Sequence, residues 1–242
     1  MNKFINSKIN LLDYNQIVFF TGAGMSAESG VPTYRGLGGL WHEYKWEDYA
    51  CQNAFIKHPE GVLDFHELRR LEALKCIPHS GHKIITQIQD KKPNTVIITQ
   101  NIDGLHQRSG STNVLELHGS IIRIKCTVCD FTDNITENFE SLPPKCKCGS
   151  MLRPDVVWFG ESLPQNIWQS AVKEASVCDV MVIVGTSLVV SPANTLPVYA
   201  KQNGAILIEV NPEKTVMSND MDLSIQSTSA RILPEILSVL KK

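Results

Sequence analysis

The sequence predicts an α/β protein built on a Rossmann-like parallel sheet with helices on both faces. Three observations predict it. Short apolar runs recur along the chain, separated by stretches of helical pattern, as expected for parallel strands buried on both faces. Several runs end in small or polar residues: Gly22-Ala23-Gly24, Gln100-Asn101-Ile102-Asp103, His118-Gly119 and Gly185-Thr186-Ser187. Two close cysteine pairs interrupt the alternation, which predicts a small inserted zinc-binding domain with four cysteine ligands.

Taken in order, residues 2–14 fit a short amphipathic helix with Phe4, Ile5, Ile9 and Leu12 inward. Ile17-Val18-Phe19-Phe20 reads as the first strand, stopping at a glycine turn. From Thr33 to about Glu60 the chain is irregular and rich in large rings: Tyr34, Trp41, Tyr44, Trp46 and Tyr49. Such a loop either covers a ligand or packs as a satellite apolar cluster. Residues 60–75 and 80–89 read as helices parted by Pro78. The second strand lies within 94–103, the third runs from Val114, the fourth from Met181 and the fifth from Ala205 to Asn211. A short sixth strand holds Ile225, and a closing helix spans about Ile232 to Leu240.

A chain of 242 residues, 43% of them hydrophobic, suits one large domain with a small insertion. The formal net charge of −2, without a long basic run, argues against nucleic acid as a partner. No stretch approaches the roughly 20 apolar residues of a membrane span. The N-terminus lacks the apolar core of a signal peptide. The expected compartment is a reducing cytoplasm, so disulfides are not expected.

Of the seven cysteines, Cys51, Cys76 and Cys178 are scattered and read as buried small hydrophobes. Cys126-x-x-Cys129 and Cys146-x-Cys148 have tetrahedral zinc spacing. A redox pair at Cys126 and Cys129 is the alternative, and it leaves the second pair unexplained. Four thiolates leave no open position, so the expected ion is structural.

Gly22, Gly24 and Ala27 fit G-x-G-x-x-G/A, a turn in which backbone N–H groups approach a pyrophosphate. An ordinary glycine turn has the same appearance. The usual acidic ribose partner, about 20 residues on, is replaced by a glycine-rich stretch. Ligands of open α/β sheets bind beyond the carboxyl ends of the strands, so the strand ends should converge on one crevice, with Asn211 supplying the ribose contact. Among the histidines, only His118 follows a buried strand and precedes glycine. That position suits a general base; a packed core histidine is the alternative. His106 reads as a structural helix or turn residue.

The motifs GAGMSAESGVPTYR, TQNIDGLH, ELHGS, the two cysteine pairs, VVWFGE, GTSLVVSP and VNP occur in this order. In that set the chain resembles the sirtuins, bacterial type, in the subgroup that holds desuccinylases and deacetylases. The resemblance runs from Gln16 to Leu240. It implies NAD-dependent removal of acyl groups from protein lysine, releasing nicotinamide and O-acyl-ADP-ribose. It implies that Gly22, Ala23, Gly24 and Ser26 lie along the pyrophosphate, and that Arg35 holds diphosphate and ribose from a cofactor loop. Gln100 and Asn101 would bond the nicotinamide ribose, Asn101 also serving catalysis, and Asp103 the nicotinamide amide. Gly185, Thr186 and Ser187 would meet phosphate or adenosine, Asn211 the adenosine ribose, and Ala230 the adenine. Ala27, Tyr34, Trp41, Ile102, Pro212 and Glu213 complete the implied cofactor set. His118 would take the proton from the ribose hydroxyl that attacks the imidate formed with the acyl oxygen. The acyl-lysine peptide would enter as an extra strand between Val157, Phe159, Gly160 and Glu161 on one side and Val189 and Val190 on the other.

Two departures bear on the substrate. Desuccinylases of this subgroup carry Tyr-x-x-Arg, where this chain has His66 and Arg69. Arg69 would pair with an acyl carboxylate and His66 would donate a hydrogen bond; the alternative is that Arg69 and Arg70 form a solvated helix face. Deacetylation ranks first, with desuccinylation or demalonylation beside it. Tyr34 stands where many sirtuins have Phe. An ADP-ribosyltransferase or NAD glycohydrolase is the rival activity, and a non-catalytic reader of acyl-lysine tails the rival of another class. The expected division is 1–33, 79–120 and 155–242 for the sheet domain, 34–78 for the cofactor loop and helical module, and 121–154 for the zinc domain.

Overall fold

The computed structural model describes residues 10–34, 39–135 and 143–236. Along the chain come β1 (Ile17–Thr21), α1 (Gly24–Ala27), α2 (Leu40–Glu43), α3 (Trp46–Tyr49), α4 (Gln52–Lys57), α5 (Pro59–Lys75) and α6 (Ser80–Lys91). Then follow β2 (Val96–Thr99), α7 (Leu105–Arg108), β3 (Val114–Glu116), β4 (Gly119–Cys126), β5 (Thr132–Asn134) and β6 (Leu152–Val156). The rest is α8 (Gln165–Val177), β7 (Val180–Val184), α9 (Leu196–Gln202), β8 (Ile206–Asn211), β9 (Leu223–Gln226) and α10 (Ser229–Ile236).

Six strands form one sheet in the order β3-β2-β1-β7-β8-β9, and every neighbouring pair is parallel. The expected Rossmann-like sheet is therefore present, with β1 and β7 at its centre. Successive side chains of a strand point to opposite faces. Accordingly Val18, Phe20, Ile98, Met181, Ile183 and Leu207 share one core cluster with Ala171 and Ala175 of α8 and Leu196 and Ala200 of α9. Ile17, Phe19, Ile97, Val182 and Ile208 share the other with Ile85 and Ile88 of α6 and Leu233 of α10. Both faces are dry, which is why these strands read as unbroken apolar runs.

The cysteine-rich stretch contains a three-stranded antiparallel sheet, β5-β4-β6. The central strand β4 begins before residue 121 and the edge strand β6 ends after residue 154, so both also belong to the segments that join this sheet to the large one.

Several expectations need correction. Residues 1–9, with Phe4, Ile5 and Ile9, lie outside the described residues; the chain there enters a 3-10 turn at Leu11–Asp13 that buries Leu11 rather than Leu12. The stretch after Thr33 holds α2, α3 and α4, too short to show a helical period. Cys51 and Cys76 are only half-buried, whereas Cys178 is buried as expected. Arg69 and Arg70 do not form a solvated face: Arg70 is 2% exposed and ion-paired to Glu67. Residues 237–240 of the closing helix also lie outside the described residues. Among the described residues no helix is long and apolar enough to cross a membrane.

Candidate functional site

Beyond the carboxyl ends of β1, β2, β7 and β8 lies a cavity of about 660 Å³. Gly22, Ala23, Gly24, Ala27, Tyr34 and Trp41 line it from the first turn and its following loop. Gln100, Asn101, Ile102 and His118 line it beyond β2 and β3, and Gly185, Thr186, Ser187, Asn211, Pro212 and Glu213 beyond β7 and β8. The strand ends converge as the sequence predicted.

The glycines act differently from the expectation. Gly22 N–H donates to Val184 O at 3.0 Å and Gly24 N–H to Gly185 O at 2.8 Å. Neither N–H is available to a phosphate. A Cβ on Gly22 would lie 2.7 Å from Thr186 Cβ, and one on Gly24 2.8 Å from Gly185 Cα. Gly185 itself has φ +61, a conformation that glycine adopts without penalty. The glycines interlock two turns. Among the described residues, nothing accepts from the N–H groups of Ala23, Thr186 and Ser187. Those three cavity-lining donors fit a pyrophosphate.

His118 Nδ1 lies 3.0 Å from Gln100 O. A carbonyl only accepts, so Nδ1 carries the hydrogen and the neutral ring's lone pair is on Nε2. Asn101 is 6% exposed; its Nδ2 donates to Gly22 O at 3.0 Å and Ser26 Oγ at 3.1 Å. Gln100 Nε2 donates to Thr186 Oγ1 at 2.9 Å, tying the β2 end to the β7 turn. Ser26 is buried beneath the cavity rather than lining it. Asp103 lines an adjoining recess of about 40 Å³, shared with Ala23, Tyr34 and Arg69. Its Oδ1 accepts from Leu105 N–H at 2.8 Å, and burial raises its carboxyl above the usual range. Burial, with Asp103 beside it, also raises the Tyr34 hydroxyl.

The opposite wall is aromatic. Trp41 stacks on Tyr34 at 5.6 Å and Phe65 at 6.3 Å, and meets Phe159 edge-on at 6.0 Å. The ring-rich stretch therefore does both things considered for it: it packs as a cluster and presents one face to the cavity. Arg69 lies against the Tyr44 and Phe65 rings and pairs with Glu72 at 3.0 Å. Its buried Nε has no partner among the described residues.

His66 lines the cavity but does not supply the expected donor. Nδ1 faces Val62 O at 2.8 Å and must donate to it, and Nε2 accepts from Trp158 Nε1 at 3.2 Å. Burial pushes His66 down to about 4, so the ring is neutral and both nitrogens are engaged. Trp158 is held in turn. Arg153 lies 3.4 Å over its ring and grips Glu161 with two bonds of 2.6 and 3.1 Å. Burial alone would raise the Glu161 carboxyl, but the Arg153 and Trp158 N–H donors hold it low. Val157, Phe159, Gly160, Glu161 and Val190 line the cavity; Val189 is 50% exposed beside them.

Ala230 does not line the cavity; its N–H donates to Glu28 Oε2 at 2.7 Å. Arg35 lies outside the described residues. Sequence reasoning missed Glu28, which also accepts from Thr228 Oγ1 at 2.8 Å and lines the cavity. It also missed Glu209, whose buried carboxylate accepts from Thr215, Ser218 and Ser224 at 2.5, 2.6 and 2.6 Å and pins the loop after Asn211. A charge inside the run Ile206–Val210 was the available signal. Leu188, 2% exposed at φ 58, gave none.

Cys126, Cys129, Cys146 and Cys148 bring four sulfurs within 4.8 Å of one another. Cys126 and Cys148 Sγ are 3.6 Å apart, Cys129 and Cys146 Sγ 3.7 Å. Zinc–sulfur bonds of about 2.3 Å set tetrahedral edges of about 3.8 Å, so the donor set fits one structural zinc.

A parallel sheet with a cavity across its strand ends, carrying a four-cysteine zinc module, defines a dinucleotide-binding α/β protein. Residues 22–192 match the Sir2 family. An "NAD-dependent protein deacylase" of Aquifex aeolicus (strain VF5) is 44% identical over 93% of this chain and 95% of its own. The solved structure of a Sir2 homologue mutant with ADP-ribose is 38% identical, covers 98% of this chain and 95% of its own, and superposes with a TM-score of 0.92. A Sir2 structure with a deacetylated p53 peptide and 3′-O-acetyl ADP-ribose is 31% identical, covers 94% and 98%, and has a TM-score of 0.84. The chain belongs to the Sir2 family.

Proposed function

We propose that this protein is an NAD-dependent protein-lysine deacylase that prefers acetyl-lysine. The observation that carries the reading is the His118 imidazole on the cavity wall, its Nδ1–H held by Gln100 O. NAD, when bound, supplies the ribosyl carbon that accepts the acyl oxygen and the nicotinamide that leaves. Ala23, Thr186 and Ser187 hold its diphosphate, and Asn211, Pro212 and Glu213 its adenosine end. Ala27, Trp41 and Ile102 shape the walls; Asp103 and Tyr34 bound the nicotinamide recess. Gln100 and Asn101 orient the ribose, and His118 Nε2 takes the proton from its hydroxyl. Arg35 and Ala230 are assigned to the cofactor by resemblance alone.

The peptide enters as a strand between Val157–Glu161 and Val189–Val190. Among the described residues nothing accepts from the Gly160 and Val190 N–H groups, which supports an added strand. Acetyl ranks above succinyl because His66 has no donor left to offer an acyl carboxylate; Arg69, paired with Glu72 through one nitrogen, keeps an unpartnered Nε–H among the described residues. The same proposal divides the chain into the sheet domain, the 34–78 cofactor loop and helical module, and a 121–154 module that would hold one structural zinc.

The test is NAD with acetyl-, succinyl- and longer acyl-lysine forms of one peptide, products identified by mass spectrometry. O-acyl-ADP-ribose, fastest from acetyl-lysine and lost in His118→Ala, is the expected result. ADP-ribose attached to protein, without O-acyl-ADP-ribose, means a transferase instead. Arg69→Met should lower desuccinylation far more than deacetylation; equal losses remove Arg69 from acyl recognition.

A further inference from the structure

His106, in α7, is 2% exposed and has no task in the chemistry above. Its Nε2 lies 3.0 Å from Thr21 Oγ1. Thr21 Oγ1 donates its single hydrogen to Thr99 Oγ1 at 2.8 Å. The hydrogen between His106 and Thr21 therefore sits on the imidazole, and Nε2–H donates. Thr99 Oγ1 accepts a second hydrogen, from Asn101 N–H at 3.0 Å. That N–H belongs to the same peptide group as Gln100 O, the acceptor of His118 Nδ1–H at 3.0 Å. A peptide group is planar, so its N–H and C=O cannot reorient independently. One plane thus carries the Thr99 contact at one edge and the His118 contact at the other.

We propose that His106 is a positioning residue for His118: through Thr21 and Thr99 it fixes the Gln100–Asn101 peptide and so the imidazole that the peptide holds. A plain packing role explains the arrangement less well. His106 Nδ1 has no partner among the described residues, and a buried polar atom left unpaired is costly. An apolar side chain would tie α7 to the sheet without that cost. Burial, with His79 nearby, pushes His106 down to about 3, so the ring stays neutral and its donor keeps one direction. The rings of His82, 5.1 Å away, and His79 beyond it complete the cluster.

The proposal rests on the deacylase reading only for what His118 does; its orientation is a property of the chain. The experiment is therefore histidine-selective ¹⁵N NMR of the full chain without NAD, followed by steady-state kinetics. In the parent protein His118 is the Nδ1–H tautomer. Thr21→Val, which removes one hydroxyl at nearly constant volume, should admit the other tautomer. His106→Leu should do the same, and His106→Gln, which keeps an N–H donor, should restore the parent tautomer. In turnover, Thr21→Val and His106→Leu should lower kcat about tenfold with KM for NAD within about twofold.

An unchanged His118 spectrum in Thr21→Val, or His106→Gln behaving as His106→Leu, overturns the proposal. If His106→Leu does not fold, Thr21→Val against His106→Gln decides. The spectral changes without any deacylation would sink the activity and leave the positioning intact; deacylation with an unmoved spectrum would do the reverse.

Discussion

The six-stranded sheet buries long apolar clusters on both faces, whereas the core of the three-stranded sheet is Ile124, Leu152 and two cysteines, Cys126 and Cys146. Half of that small core is two of the four zinc-donor cysteines. One sheet is held by area removed from water; the other has too little area and depends on bonds to an ion. Yet they are joined at the site. Arg153, on β6 of the small sheet, clamps Trp158 and Glu161 on the rim of the large sheet's cavity.

The strongest way to break this contrast is to remove the metal. Chelation, or Cys146→Ser, should abolish amide protection in β4, β5 and β6 while β1, β7 and β8 keep theirs, read by hydrogen exchange. Protection lost throughout the chain would show that the sheets are one cooperative unit. Next comes the joint. Arg153→Leu leaves Glu161 without its partner and should cost about 3 kcal/mol in urea unfolding. It should raise KM for peptide more than KM for NAD; equal increases would mean that Arg153 serves stability alone.

The smallest effect concerns acid. His66 is pushed down to about 4 from an ordinary 6.5, so the unfolded chain binds its proton first. The His66 contribution to stability is therefore full above pH 6.5 and declines as pH falls toward 4, by roughly 2 kcal/mol at pH 5. His66→Gln, which can still accept from Trp158, should flatten that decline in melting scans. Burial pushes His82 and His106 down as well, to about 2 and about 3, so their share of the acid loss remains in the variant; a slope equal to the parent's would show that His66 contributes none.

The same contrast explains what could be read from the residues alone. Strands buried on both faces announce themselves as unbroken apolar runs, so β1, β2, β7 and β8 and the crevice at their ends were legible. Cysteine spacing announced the metal site. The strands β4 to β6 were not legible, because an ion does the work that apolar alternation does elsewhere. Helices of four to six residues left no period. His66 was misread because its partners, Val62 O and Trp158 Nε1, include a residue far along the chain. Nothing in the sequence marks the hydroxyls at Thr21 and Thr99 as partners; the parallel register of β1 and β2 brings them together.

The interlocked turns at Gly22–Gly24 and Gly185–Thr186 have a consequence for protein engineering. Each turn is the mould of the other, so neither is a portable part. A designer who grafts the first turn alone onto another sheet transplants a glycine motif without its counterpart, and the new neighbour's side chains will fill the space that Gly185 leaves here. The smallest transferable piece is the pair of turns, with the two central strands that hold them face to face.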